Sequence, residues 1–172
     1  MTDPAQLAPA PESDPFLEVR RAELPSPDLS RAMYAGVGSE WYWTDRLGWS
    51  WARWQEHLAR AEVETWVAWL RGTPVGYAEL ERDGDAVEIA SFGLLPAFIG
   101  RGLGPRLLDA VLRRAWALSP RRVWVHTCSL DGPAALPTYQ RRGLAVYDER
   151  TAEVVLPAQR PEPWPGAQRP AA

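Results

Sequence analysis

Lysine and asparagine are absent from this chain, and isoleucine occurs only at Ile89 and Ile99. All 19 basic residues are therefore arginines, set against 22 acidic ones for a formal charge of −3. Such a skew reads as the base composition of a GC-rich gene and says little about function. The missing basic excess argues against a general nucleic-acid binder, which needs a dense cationic face. Cys128 stands alone, so no internal disulfide can form, and it is expected to pack as a small hydrophobe. No apolar run approaches the ~18–20 residues of a membrane span. The start of the chain carries Asp3, Glu12 and Asp14 and lacks the basic and apolar stretches of a secretory signal. The expectation is a cytoplasmic protein with neither membrane nor nucleic acid as partner.

What is present describes one ordinary domain. The 172 residues are 46% hydrophobic and include ten Trp, and a chain of this size buries roughly 68–70% of its unfolded surface without a metal or disulfide staple. Residues 1–15 and 157–172 are dense in Pro and Ala with few apolar groups, which predicts loose tails around a single domain at 16–156. Within it, 16–24 alternates as a half-buried strand, and 26–35 starts a helix at a Ser cap that Gly36 and Gly38 should end. A second helix, 50–60, places Trp51, Trp54 and Leu58 on one face. The segments 64–71, 75–82 and 86–95 then switch to a strand period. Gly72-Thr73 and Asp83-Gly84-Asp85 separate them, which suits an antiparallel meander. Residues 105–118 repeat Leu107, Leu108, Val111, Leu112 and Ala115 on one helical face. A strand at 122–128, a short helix at 134–142 and one or two strands at 144–156 complete a mixed α/β architecture.

The segment Gly100-Arg101-Gly102-Leu103-Gly104 joins a strand to the amphipathic helix. Unpaired amides at a helix start, aided by the helix dipole, attract an anion, and glycines let the backbone approach it. A tight turn would use the same residues, and both readings stand at this level. The Lys-Ser/Thr pair of a nucleotide P-loop is missing, and so is the third glycine of a dinucleotide fingerprint.

Glu88-Ile89-Ala90-Ser91-Phe92-Gly93-Leu94-Leu95, followed by Ile99-Gly100-Arg101-Gly102-Leu103-Gly104, resembles the fourth strand and the Q/R-x-x-G-x-G/A loop of the GNAT family of N-acetyltransferases. Ala135-Leu136-Pro137-Thr138-Tyr139-Gln140-Arg141-Arg142-Gly143-Leu144 is similar to the family's A-x-x-x-Y-x-x-x-G-F ending. The resemblance spans roughly 17–156. It departs from the pattern at Ile99 for Gln/Arg, Gly132 for Asn and Leu144 for Phe. It implies a mixed, mainly antiparallel sheet flanked by helices, and an acetyl-CoA-dependent enzyme that acetylates a primary amine without a metal. Phe92, Gly93 and Leu94 would line the pantetheine arm, and Ile99, Gly100, Arg101, Gly102, Leu103, Gly104 and Pro105 would hold the pyrophosphate.

An ammonium group of pKa ~10.4 is only about 0.1% neutral near pH 7.4, so acetyl transfer to it calls for a base. The resemblance places Glu88 in that role, with Glu79 and His126 in reserve, and sets Tyr139 beside the cofactor sulfur as proton donor. The aromatic run containing Trp41 and Trp43 would flank the acceptor, where a ring can hold a cation. The acceptor itself, a small amine or a peptide amine, is not written in the sequence. A non-catalytic acyl-CoA-binding module of the same fold is the rival reading, and a homodimer is left open.

Overall fold

The computed structural model describes residues 1–12 and 14–167. Strand β1, Leu17–Ala22, begins a five-stranded sheet. Helix α1, Pro27–Gly38, starts where the sequence puts it: the Ser26 hydroxyl accepts from the Leu29 amide at 3.3 Å and Pro27 occupies the first turn. It runs through the glycines expected to stop it. A Cβ on Gly36 would lie 2.7 Å from Leu95, and one on Gly38 would strike the Trp43 ring, so these glycines serve close packing. Helix α2, Trp51–Leu58, is capped by Ser50 and buries Trp54 and Leu58, whereas Trp51 faces solvent despite its matching spacing.

Strands β2, Val63–Leu70, β3, Thr73–Asp83, and β4, Ala86–Leu94, form the expected meander, turned by Gly72 and Gly84 at φ of +81° and +58°. Helix α3, Leu103–Ala117, crosses over to β5, Arg122–Val125, which pairs parallel to β4. The sheet order is β1-β2-β3-β4-β5. The short helix α4, Ala135–Arg141, lies beside α3. Val67 and Tyr77 pack under α1 and α2, while Leu80, Val87 and Ile89 pack under α3, so two cores sandwich the sheet.

The β3–β4 register contains one irregularity that decides what each face carries. Leu80 pairs with Ile89 but Glu79 pairs with Ser91, leaving Ala90 as an extra residue. Glu88, Ser91 and Gly93 therefore share the α1/α2 face with Glu81, Glu79 and Tyr77, and Ile89 and Phe92 share the α3 face.

Both ends of the chain depart from expectation. Residues 144–156 form no strand, and Val146, Tyr147, Val154 and Val155 are exposed. The outer edge of β5 is met instead by Met1, whose carbonyl accepts from the Val123 amide at 2.9 Å and whose amino group donates back at 3.0 Å. Nor is the opening segment loose. Met1 is buried in the α3 core with Trp116 Nε1 3.0 Å from its sulfur, and Asp3 and Gln6 form a capping box around a 3-10 turn. The Arg142 guanidinium donates to the Pro9 and Ala8 carbonyls at 2.6 and 3.0 Å and pairs with Asp109, and Arg106 donates to the Glu12 carbonyl at 2.6 Å. A Pro- and Ala-rich segment with little apolar surface is thus held mainly through its carbonyls. Of the other tail, residues 157–167 are mostly exposed, and 168–172 lie outside the described residues.

Removing residues 1–12 strips one buried Met, worth ~1.5–3 kcal/mol. For a chain of this length the melting temperature should then fall by about 5–10 °C. Calorimetry of the truncated protein reads this directly, and an unchanged midpoint would restore the picture of a loose tail.

Candidate active site

The parallel pairing of β4 with β5 ends at Ile89–Val125, while β4 continues to Leu94 along β3. From Ala90 to Leu94 the β4 backbone therefore has a strand on one side and, among the described residues, none on the other. Unpaired strand amides and carbonyls are strong hydrogen-bonding groups, and an open stretch of them is a place for an extended polar chain. Phe92, Gly93 and Leu94, the residues that the resemblance puts along the pantetheine arm, all lie in this stretch.

The same strand leads into the glycine loop. Gly100 and Gly102 have φ of +82° and +72°, a region other residues rarely visit, and Gly102 is the N-cap of α3. No side chain caps this helix among the described residues, and its first turn carries no acidic group. The orphan amides that begin a long helix are thus left without a side-chain partner among the described residues, the property the anion reading requires. The arginines are placed unequally. Arg101 lies over the Phe98 ring at 5.3 Å, whereas Arg106 is turned back onto the Gly102 and Glu12 carbonyls. Ile99 is exposed, and Leu103 is buried in the core below.

Tyr139 on α4 reaches the open edge of β4. Its ring meets Phe92 edge-on, with centroids 5.8 Å apart, and it is 6% exposed. Burial, helped by the nearby Asp131 charge, pushes its phenol well above the ordinary value. The hydroxyl is accordingly a firm hydrogen-bond donor and a reluctant acid.

Glu88 lies near the start of β4 on the opposite, α1/α2 face, directly across from Glu81. Burial raises its carboxyl above the usual range, and the Glu81 charge adds to the effect; His126 and Arg46 oppose it. His126 stands just past β5, exposed. Glu79 is placed differently from a free base: it is 1% exposed, and its Oε1 takes hydrogen bonds from Arg46 at 2.6 Å and His57 at 3.0 Å. Burial pushes its carboxyl up, yet these two partners outweigh burial and hold it below the ordinary value. His57, Glu79 and Glu81 lie close enough to share a cation, but Arg46 and Arg60 already occupy the carboxylates, each at 2.6 Å. Cys128, expected to be buried, is exposed. Asp131 organises its loop by accepting from the Cys128 amide and the Thr127 hydroxyl.

The two tryptophans differ. Trp41, at the end of a 3-10 turn after α1, extends to the β5–α4 loop, where a Cβ on Gly132 would come within 3.0 Å of its ring. Trp43 packs on Tyr34, with centroids 5.4 Å apart, and against Gly38, so it is half-buried against α1. Arg46 and His57 gave no signal in the sequence, because they come from a loop and a helix and meet only in the fold. Glu79 had a weak signal: a carboxylate on the buried phase of a strand, two residues after Tyr77.

The model of the acetyltransferase (GNAT) family matches residues 27–144, and the chain belongs to that family. No protein of curated function matches it in sequence. Among solved structures, an aminoglycoside acetyltransferase, meta-AAC0020 from an uncultured soil metagenomic sample in complex with sisomicin, is similar at 16% identity and a TM-score of 0.65. That match covers 83% of this chain and 97% of the other. AAC(6')-Iy in complex with a bisubstrate analog is similar at 18% identity and a TM-score of 0.58, covering 84% and 98%. The ribosomal-protein-S18-alanine N-acetyltransferase from Escherichia coli follows at 13% and 0.56, covering 72% and 74%. At such identities the likeness is one of fold, and the sheet with flanking helices is the GNAT fold. Among the described residues, no helix is long and apolar enough to cross a membrane.

Gly104 gives a clean test of the anion reading. A Cβ there meets only Leu94 at 3.8 Å, an ordinary contact, so Gly104→Glu should fold while placing negative charge at the helix start. Its acetyl-CoA affinity should drop below detection in calorimetry. Wild-type affinity in the folded variant would remove the loop from the phosphate site.

Proposed function

We propose that the chain transfers acetyl from acetyl-CoA directly to a primary amine within a ternary complex. The observation that carries this reading is the open β4 edge from Ala90 to Leu94, which runs between Tyr139 and an uncapped helix start. Extended thioester and pyrophosphate fit those two features in that order. Glu88, directly or through water, takes a proton from the ammonium; the neutral nitrogen then attacks the thioester carbonyl carbon, the C–S bond breaks, and the second proton on nitrogen is lost to solvent. Coenzyme A leaves as a thiolate that Tyr139 stabilises by donating a hydrogen bond, and solvent completes its protonation.

The Glu88 site supports the base role on energetic grounds. An ordinary carboxyl of pKa ~4.3 lies about six units below an ammonium of ~10.4, a gap of roughly 8 kcal/mol. Burial and the facing Glu81 narrow it from the carboxyl side. Arg60 already pairs with Glu81, which leaves Glu88, with Asp83 near it, as the negative charge facing a cationic acceptor. Aminoglycosides, which two of the structural neighbours act on by name, are therefore the first acceptors to try. A panel of sisomicin, polyamines, amino acids and basic peptides, followed by release of free coenzyme A thiol, tests the reading. Tight acetyl-CoA binding with no turnover on any member would favour a non-catalytic acyl-CoA-binding module.

Two substitutions separate the roles. Glu88→Gln should lower kcat/KM by ~10²–10⁴-fold near neutral pH. The loss should shrink between about pH 7 and 9, because alkali supplies the neutral amine unaided. A wild-type rate and pH profile in folded Glu88→Gln would transfer the base role to His126. Tyr139→Phe keeps the ring and removes only a hydrogen bond to developing negative charge, so a loss near the low end, about 10-fold in kcat, is expected with acetyl-CoA affinity intact. An unchanged rate where chemistry is limiting would leave Tyr139 a packing residue.

A further inference from the structure

Residues 42–50, between α1 and α2, belong to no helix or strand, yet with the preceding turn they carry Trp41, Trp43 and Trp49. Their backbone bonds are local: the Trp43 amide donates to Gly38, Leu47 to Thr44 and Trp49 to Arg46, each at 3.1 Å. The backbone of Arg46 and Asp45 lies beside the Tyr34 phenol of α1. Among the described residues, none of these backbone bonds reaches the sheet. Among the described residues, the polar attachment to the sheet is one side chain. Arg46 inserts beneath the loop with its guanidinium 5.1 Å from the Trp49 ring and 6.0 Å from the Tyr34 ring. It donates to Glu79 Oε1 at 2.6 Å and lies 3.3 Å from His57 Nε2, which is itself 3.0 Å from Glu79.

The side chains of Arg46, His57 and Glu79 are only 15%, 10% and 1% exposed. A charge buried this far is tolerable only with its partner in place, so Arg46 and Glu79 dock together or not at all. Glu79 stands on the same face of the sheet as Glu88, one strand over and two register positions along. The loop fixed there spans from this acidic face to Gly132 under Trp41.

We propose that Arg46, gripped by Glu79 and His57, is the positioning residue that holds the tryptophan loop in place over the acceptor side of the sheet. The proposal rests on the acetyl-transfer reading for what the loop covers. It assigns to Arg46 control of acceptor binding, separate from the acetyl-CoA site across the sheet. The planar fork matters: it faces Glu79 and His57 while lying against two aromatic rings, and a lysine ammonium cannot do this.

The test compares wild type, Arg46→Ala, Arg46→Lys and Glu79→Gln by hydrogen exchange, acetyl-CoA calorimetry and steady-state kinetics on the best amine of the panel above. In Arg46→Ala, exchange of the Trp43, Leu47 and Trp49 amides should rise at least about tenfold as the loop opens locally, with α3 amides unchanged. Acceptor KM should rise ~10–100-fold from misplaced contacts while acetyl-CoA affinity holds. Arg46→Lys should fall between, and millimolar guanidinium should recover part of the alanine variant's loss. If Arg46→Ala does not fold, Arg46→Lys and Glu79→Gln carry the same comparison.

Unchanged loop exchange in the folded variants overturns the proposal. So does a freed loop with unchanged acceptor KM, or an equal loss at both substrates. Wild-type protein inert toward every amine would instead overturn the acetyl-transfer reading. The exchange measurement, which needs no acceptor, would then decide by itself whether Arg46 pins the loop.

Discussion

The single extra residue at Ala90 sets the two faces of this molecule. A strand alternates its side chains, so without the insertion Phe92 would turn toward α1 and Gly93 toward α3. With it, Phe92 joins the α3 core and meets Tyr139, and Gly93 falls under Val37 of α1, where a side chain would not fit. Glu88, upstream of the bulge, stays on the α1/α2 face with Glu81. One residue thus aims the first half of β4 at the proposed acceptor and the second half at the proposed thioester. Bulges commonly re-aim side chains beside functional sites in this way.

A charge gradient runs along the same strand. Its downstream end opens on the amides and dipole of α3 with Arg101 nearby, which favours a bound anion. Its upstream end carries Glu88, which has no cation bonded to it among the described residues, opposite a Glu81 already paired with Arg60, and so favours a cation. A donor rich in phosphate and an acceptor bearing ammonium would be sorted to opposite ends by sign, before any shape-specific contact forms. The paired Arg46 and Glu79 contribute no net charge to this gradient, and their role is mechanical.

What the sequence showed and what it hid divide along a physical line. The meander, the amphipathic α3 and the glycine loop were legible because each is written in local period or turn chemistry, and the first family motif lies within those elements while the second lies on α4. The bulge at Ala90 was hidden, since an inserted residue leaves the composition of a strand unchanged. So was the Arg46–Glu79–His57 cluster, whose members are 11 to 33 positions apart and meet only through tertiary packing. Gly36 and Gly38 misled because a glycine that permits close approach looks the same as one that ends a helix. The opening segment misled for another reason. Composition measures the apolar surface a segment can bury, and this one is held by carbonyls that Arg142 and Arg106 reach across the fold to bond. Residues 144–156 have a strand-like pattern, but on the outer edge of β5 the amide and carbonyl of Val123 are bonded to Met1.

The departure at Gly132 follows from the same architecture. The family pattern has Asn at this position, and an Asn side chain would begin within 3.0 Å of the Trp41 ring. The chain therefore holds either a polar side chain on the β5–α4 loop or an indole reaching across to that loop from α1. With Gly132 it holds the indole, so the α1 side and the α4 side touch. What a side-chain amide would have contributed to a ligand on the α4 loop is given up for closure between the two halves of the sandwich. That closure is useful only if Trp41 is held in register. Trp41 sits at the end of a short 3-10 turn, followed by Tyr42 in a left-handed conformation at φ of 58°, so its own backbone offers little stiffness. The rigidity has to come from farther along the same loop, where a guanidinium bonded to a buried carboxylate ties the connection to β3, the central strand of the sheet.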